Sequence, residues 1–173
     1  MNLNLNDKVI IVTGGARGIG EGIVKALASE GAIPVIVGRS EEDNVRLVNT
    51  IELSGGKAFQ VVAELSDPVV CEQAINSVMA KFGKIDGLVN NAGVNDGIGL
   101  ENGSYEGFMA SMHRNVVHYY LMAHHALPSL IKSKGSIVNI TSKTAETGQG
   151  NTSAYAAANG ATMHLHGNGQ WSC

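Results

Sequence analysis

Short runs of Val, Ile and Leu, each of strand length and closed by turn residues, recur along this chain between segments with helical periodicity. That rhythm limits the fold more than any other feature. The runs fall at residues 8–13, 32–38, 58–63, 87–90 and 135–141. Their branched residues are nearly continuous rather than alternating, which suits strands buried on both faces of a parallel sheet. Helical segments lie between them at residues 18–30, 41–53 and 68–82, with a long one over 105–133 in which Pro128 predicts a kink or an end. Strands and helices alternating at this spacing predict an α/β fold, a doubly wound parallel sheet with right-handed crossovers. A length of 173 residues, 44% of them hydrophobic, is enough for one domain with a sizeable core.

Composition removes several classes of function. Charged residues make up 16% of the chain, below the roughly 25% of an average soluble domain, and disorder is not expected. Apolar runs stop short of membrane-spanning length, and residues 1–7 alternate Asn and Leu where a leader would be basic and then apolar. The expectation is a soluble, cytoplasmic protein with no membrane partner. A net charge of -3 without any basic block gives no footprint for nucleic acid. Cys71 and Cys173 stand far apart, so neither a disulfide framework nor a zinc site is expected. The histidines give no metal site either. His124 and His125 are adjacent on a helix and point in different directions, while His164, His166 and Cys173, which could be imagined as a metal cluster, fall in the terminal stretch that departs from the family pattern described below.

The strongest local signal follows the first strand: Thr13-Gly14-Gly15-Ala16-Arg17-Gly18-Ile19-Gly20, opening a helix. Glycine lets the backbone turn tightly and approach a pyrophosphate, which the exposed N–H groups and the helix dipole would hold. A tight strand-to-helix turn alone would explain some of these glycines. The second strand ends Val37-Gly38-Arg39, without the acidic residue that would bind a ribose 2′-hydroxyl. Arg17 and Arg39 could accommodate a 2′-phosphate, which mildly favours NADP over NAD, although Arg39 could equally be a solvated surface cation.

Together with Asn90-Asn91-Ala92-Gly93, Asn115, Ser142 and Tyr155, this turn resembles the short-chain dehydrogenase/reductase family over residues 7–161. The stretches Asn91 to Gly97, His118-Tyr119-Tyr120 and Thr147 to Thr152 resemble its L-fucose dehydrogenase branch. The resemblance implies a Rossmann fold and an NAD(P)-dependent oxidoreductase for a sugar or related secondary alcohol. It assigns Gly14, Arg17, Gly18, Ile19 and Gly20 to the cofactor phosphates and Asn90, Ala92 and Gly93 to the cofactor region, with Asn90 at the sheet edge. Leu65 would lie beside the adenine, with Glu64 where Asp is usual. Ser142 would hydrogen-bond the reacting oxygen, Tyr155 would take the proton, and Asn115 would help hold a relay water. The branch adds Asn95, Asp96, Lys143 and Gln149 as sugar contacts. Read singly, Ser142 could satisfy a strand end and Tyr155 could be a half-buried helix aromatic; their joint spacing favours the family reading.

Two departures stand against that pattern. The family has a lysine four residues after its tyrosine, where this chain reads Tyr155-Ala156-Ala157-Ala158-Asn159. A tyrosine ionises near pH 10, and lowering that to about 7 takes roughly 4 kcal/mol, to which the lysine charge contributes. Impaired hydride transfer is therefore expected. After Ala161 the sequence carries no amphipathic pattern or cap. Read one base earlier, the codons from Met163 and His164 can spell Ala-Leu-Thr-Arg-Glu-Trp-Ala-Val-Glu-Leu, which is similar to the branch. Gly160 and Ala161 still match in the present frame, which sets Asn159 apart as a separate change. The expectation is an incomplete domain over residues 1–162, a frameshifted tail over 163–173, and a family homotetramer missing part of its interface.

Overall fold

A computed structural model describes residues 3–165. Five strands form a single parallel sheet in the order β3-β2-β1-β4-β5, with β1 Val9–Thr13, β2 Ile33–Gly38, β3 Phe59–Val62, β4 Gly87–Asn90 and β5 Ser136–Asn139. The sheet is the doubly wound parallel α/β arrangement that the strand rhythm predicts. Central β1 is buried along its whole length, and its side chains alternate between two cores. Val9 and Ile11 join one core, with Cys71, Ala74, Ile75 and Val78 of α3 (Pro68–Phe82) and Met122, Ala126 and Leu130 of α5 (His118–Ser133). Ile10 and Val12 join the other, with Val24 of α1 (Gly18–Ser29) and Leu47 and Ile51 of α2 (Glu41–Leu53). Each fully buried aliphatic side chain contributes about 1.5–3 kcal/mol over leaving it exposed.

Local chemistry fixes several of the element ends. Ser40 caps α2 by accepting the Asp43 N–H at 3.2 Å, and three acidic residues follow in its first turn. Asp67 caps α3 the same way, from Val69 N–H at 2.9 Å, with Pro68 behind it, and left-handed Gly83 ends the helix. At the base of the sheet, the Asp86 carboxylate takes the Val9 N–H and pairs with Lys8 and Lys84, tying β1 to the start of β4.

The structure departs from the sequence expectation in three places. The segment over 105–133 divides into α4 (Tyr105–Met112), a π turn (His113–Val117) and α5. Pro128 lies within α5 and does not end it, because the helix runs on to Ser133. The outer strands are only half-buried: Val62 on β3 and Val138 on β5 are each 49% exposed. Short α6 (Thr144–Thr147) is followed by α7 (Ser153–His164), in which Thr162 is buried. The remainder of the expected tail, residues 166–173 including His166 and Cys173, lies outside the described residues. Among the described residues no helix is long and apolar enough to cross a membrane.

Candidate active site

In this strand order the chain reverses direction between β1 and β4, and the crevice beyond the carboxyl ends of those strands is where open α/β sheets bind ligands. A cleft of about 1410 Å³ occupies that position. One wall is the glycine turn, with Gly14, Ala16, Arg17, Ile19 and Gly20 at the cleft. Gly14 and Gly18 are left-handed (φ +62° and +56°), and Gly18 shapes the turn without reaching the cleft. A Cβ on Gly20 would collide with the Gly14 carbonyl oxygen, so only glycine fits. No side chain caps α1, and its first N–H groups are open to an anion. A backbone cradle that a methyl group would fill, opening an uncapped helix, fits a dinucleotide pyrophosphate.

The cleft continues past the glycine turn along the ends of β2 and β3. Arg39 and Glu64 face each other there at 3.4 Å, both more than half exposed, with buried Leu65 beside them. Partial burial raises the Glu64 carboxyl. Ser66, through its N–H and hydroxyl, and the Arg39 charge outweigh this and hold it below the usual carboxylate range. Such an exposed pair is weak, which leaves Arg39 able to turn toward a phosphate.

The opposite wall comes from β4, α4, the π turn and α5. Thr13, at the end of β1, is completely buried, and its hydroxyl oxygen accepts the N–H groups of Asn91 (2.9 Å) and Ala92 (3.0 Å). The Asn91 amide donates back to the Thr13 carbonyl at 2.9 Å. Ala92 and Gly93 line the cleft, whereas Asn90 does not. Asn90 lies inside the sheet on β4, not at its edge, and donates to Asn139 Oδ1 on β5 (3.0 Å) and to the Tyr119 carbonyl on α5 (3.3 Å). Its side chain thus ties β4 to β5 and α5, and the Asn91 side chain, one position on, holds the turn.

Asn115 sits in the π turn, 4% exposed and facing the cleft. Its Oδ1 accepts the Val94 N–H at 2.7 Å and its Nδ2 donates to the Ser111 carbonyl at 3.0 Å. A Cβ on Gly93 would come within 3.0 Å of that Oδ1, so the glycine permits the close approach. Asp96 does not line the cleft, because both of its oxygens are engaged: one with Arg114 at 2.6 Å, the other with the Ser111 hydroxyl at 3.1 Å. Asn95 and Gln149 also lie off the cleft; Asn95 Oδ1 takes the Gly97 N–H and the Gln149 carbonyl takes the Thr152 hydroxyl.

Ser142, Lys143, Tyr155 and Asn159 complete the cleft at its third side. Ser142 Oγ accepts the Thr144 hydroxyl at 2.9 Å, so the side chain also closes the start of α6. Asn159 is buried, and its Nδ2 donates to the Tyr155 carbonyl at 2.9 Å while Oδ1 accepts the Thr141 hydroxyl at 3.3 Å. Behind this group, the Tyr119 hydroxyl donates to the Ile140 carbonyl at 3.0 Å, and burial raises its pKa. His118 beside it is 2% exposed, and burial pushes its ring down to about 4. The rings of His124 and His125 meet edge to face at 5.1 Å, although adjacent helical positions diverge. Among the described residues no group of three His, Cys, Asp or Glu side chains could hold a metal ion.

Sequence reading missed Arg114, His113, His118 and Thr141 as cleft residues. Arg114 and His113 carry no motif of their own, and only the neighbouring Asn115 points to them.

The fold and cleft define a doubly wound α/β domain with a phosphate-binding turn at its switch point. The chain belongs to the short chain dehydrogenase family, whose profile matches residues 8–169. It is 35% identical to L-fucose dehydrogenase of Mus musculus, over 91% of this chain and 57% of that protein. It is 32% identical to meso-2,3-butanediol dehydrogenase of Serratia marcescens, over 94% of this chain and 64% of that protein. Among solved structures it is similar to Cj0485 dehydrogenase, with 44% identity and a TM-score of 0.88 over 95% of this chain and 63% of that one. A metagenomic short-chain oxidoreductase in complex with NADP is similar at 31% identity and a TM-score of 0.88, over 93% of this chain and 74% of that one. The chain thus spans about three-fifths of the length of these curated relatives.

Proposed function

We propose that this protein is an NADP-linked oxidoreductase acting on a hydroxyl of a sugar or related secondary alcohol, an L-fucose-like sugar at its anomeric carbon. One observation carries the reading: a single cleft has an uncapped glycine turn at one end and Ser142 with Tyr155 at the other. The first N–H groups of α1 would hold the pyrophosphate, Arg17 and Arg39 a 2′-phosphate, Glu64 and Leu65 the adenine, and Ala92 and Gly93 the cofactor's inner half. When bound, the nicotinamide supplies the hydride acceptor. Ser142 would orient the reacting oxygen by hydrogen bonding and Tyr155 would take its proton, with Asn115 keeping the loop at Val94 against the cleft. Lys143, beside Ser142, is the sugar contact that the cleft retains. The similarity to L-fucose dehydrogenase and to an NADP-complexed structure supports this choice of substrate and cofactor.

Asn159 favours a second reading, a nucleotide-binding protein with impaired hydride transfer. Its amide is taken up by Thr141 and the Tyr155 backbone, and it brings no charge to the tyrosine. Titration with NADPH, followed by nucleotide fluorescence, and turnover of L-fucose with NADP separate the two. Binding with turnover supports the enzyme, binding without turnover supports the second reading, and absence of binding overturns both.

A further inference from the structure

A π turn widens the helical hydrogen bond by one residue, and where the α register resumes one carbonyl is passed over by the backbone N–H groups. A buried carbonyl in that position needs another donor. The π turn here ends at Val117, and the Arg114 carbonyl within it contacts Nε2 of His118, one helical turn on, at 3.0 Å. A carbonyl only accepts, so Nε2 carries the proton and Nδ1 is the bare lone pair. Among the described residues Nδ1 is buried without a hydrogen-bond partner. The ring thus forgoes one hydrogen bond and spends its single N–H on the main chain of the π turn.

We propose that His118 is a positioning residue that fixes the π turn in register and, through it, the direction of Asn115. In that register the Asn115 side chain reaches Val94 N–H at 2.7 Å and the Ser111 carbonyl at 3.0 Å, so the helix and the loop beyond β4 move as one. An α register would rotate Asn115 by about 100° around the helix and break both contacts. The edge-to-face contact of the His118 ring with Tyr119, centroids 4.8 Å apart, sets the ring plane. The inference rests on the reading above only in giving Asn115 a place in the cleft.

The test compares His118→Gln, whose amide nitrogen can occupy the place of Nε2, with His118→Leu, which fills the volume but donates nothing. Hydrogen exchange of the full-length chain is read over residues 112–119. The amides in His118→Leu are expected to exchange about tenfold faster than in the wild type, and those in His118→Gln within about threefold. Exchange in β1 and α3 stays unchanged. Leu protecting as well as Gln, or better, would show that packing alone holds the segment and would overturn the proposal. Should His118→Leu not fold, the ¹⁵N shifts of the wild-type ring decide: protonation at Nε2 supports the lock and protonation at Nδ1 overturns it. If Asn115→Ala leaves NADPH binding and turnover intact, it is the reading of Asn115 that fails, while the exchange comparison still decides the role of His118.

Discussion

The two ends of the cleft are built on different principles. Beyond β1, the phosphate-binding turn is made of backbone: left-handed Gly14 and Gly18, a Gly20 that tolerates no Cβ, and an uncapped helix start. Beyond β5, Ser142 and Lys143 in the segment leading into α6, and Tyr155 and Asn159 on α7, offer side chains. A ligand can be held by the first end through geometry that several glycines share. Chemistry at the second end depends on individual functional groups, and a single residue such as Asn159 can separate binding from reaction.

Asn159→Lys should separate them most sharply. A cation beside Tyr155 is expected to raise turnover of L-fucose with NADP by about a hundredfold or more, with the Kd for NADPH changed far less. An equal rate would locate the limit on turnover elsewhere than this position. Gly20→Ala is the converse: steric conflict with the Gly14 carbonyl forces the backbone of the turn to shift, which should weaken NADPH binding by about a hundredfold and lower the thermal midpoint with it. Retained affinity in fluorescence titration would contradict the backbone account of that end.

The third prediction concerns acid. The His118 ring is held down to about 4, whereas the unfolded chain takes up that proton near 6.5. Its contribution to stability is complete above about pH 6.5, is lost as pH falls toward 4, and is flat below that. The full loss is of order 3 kcal/mol, and urea unfolding should show it vanish in His118→Gln. Asp86 behaves in the same direction at lower pH. Burial raises its carboxyl but Lys84, the Val9 N–H and Lys8 outweigh it, so what it contributes is lost only as pH drops through the carboxylate range. The smallest effect belongs to Arg39→Ala, which should lower the preference for NADP over NAD by about tenfold in competition binding.

Much of the fold is legible in the sequence where end signals are local. The bounds of α2, α3 and β4 coincide with those expected, since Ser40, Asp67, Pro68 and Gly83 mark their ends in the text. The π turn has no such mark. It adds one residue to a helical path, an insertion that periodicity averages away, so residues 105–133 read as continuous. The exposed faces of β3 and β5 are equally hidden, because their Val and Ile content matches that of strands buried between neighbours. In the cleft, the glycine turn was readable because its conformation demands the residue type. Asp96 was not, since its place is decided by Arg114, eighteen positions away in sequence. Asn90 and Asn91 differ only in which way the strand end turns them, and no composition distinguishes the two.

The Thr13 hydroxyl, gripping the N–H groups of Asn91 and Ala92 from the strand that also launches the glycine turn, works as a hinge pin. Both jaws of the crevice are fastened to one oxygen atom. A displacement of β1 would therefore carry both together.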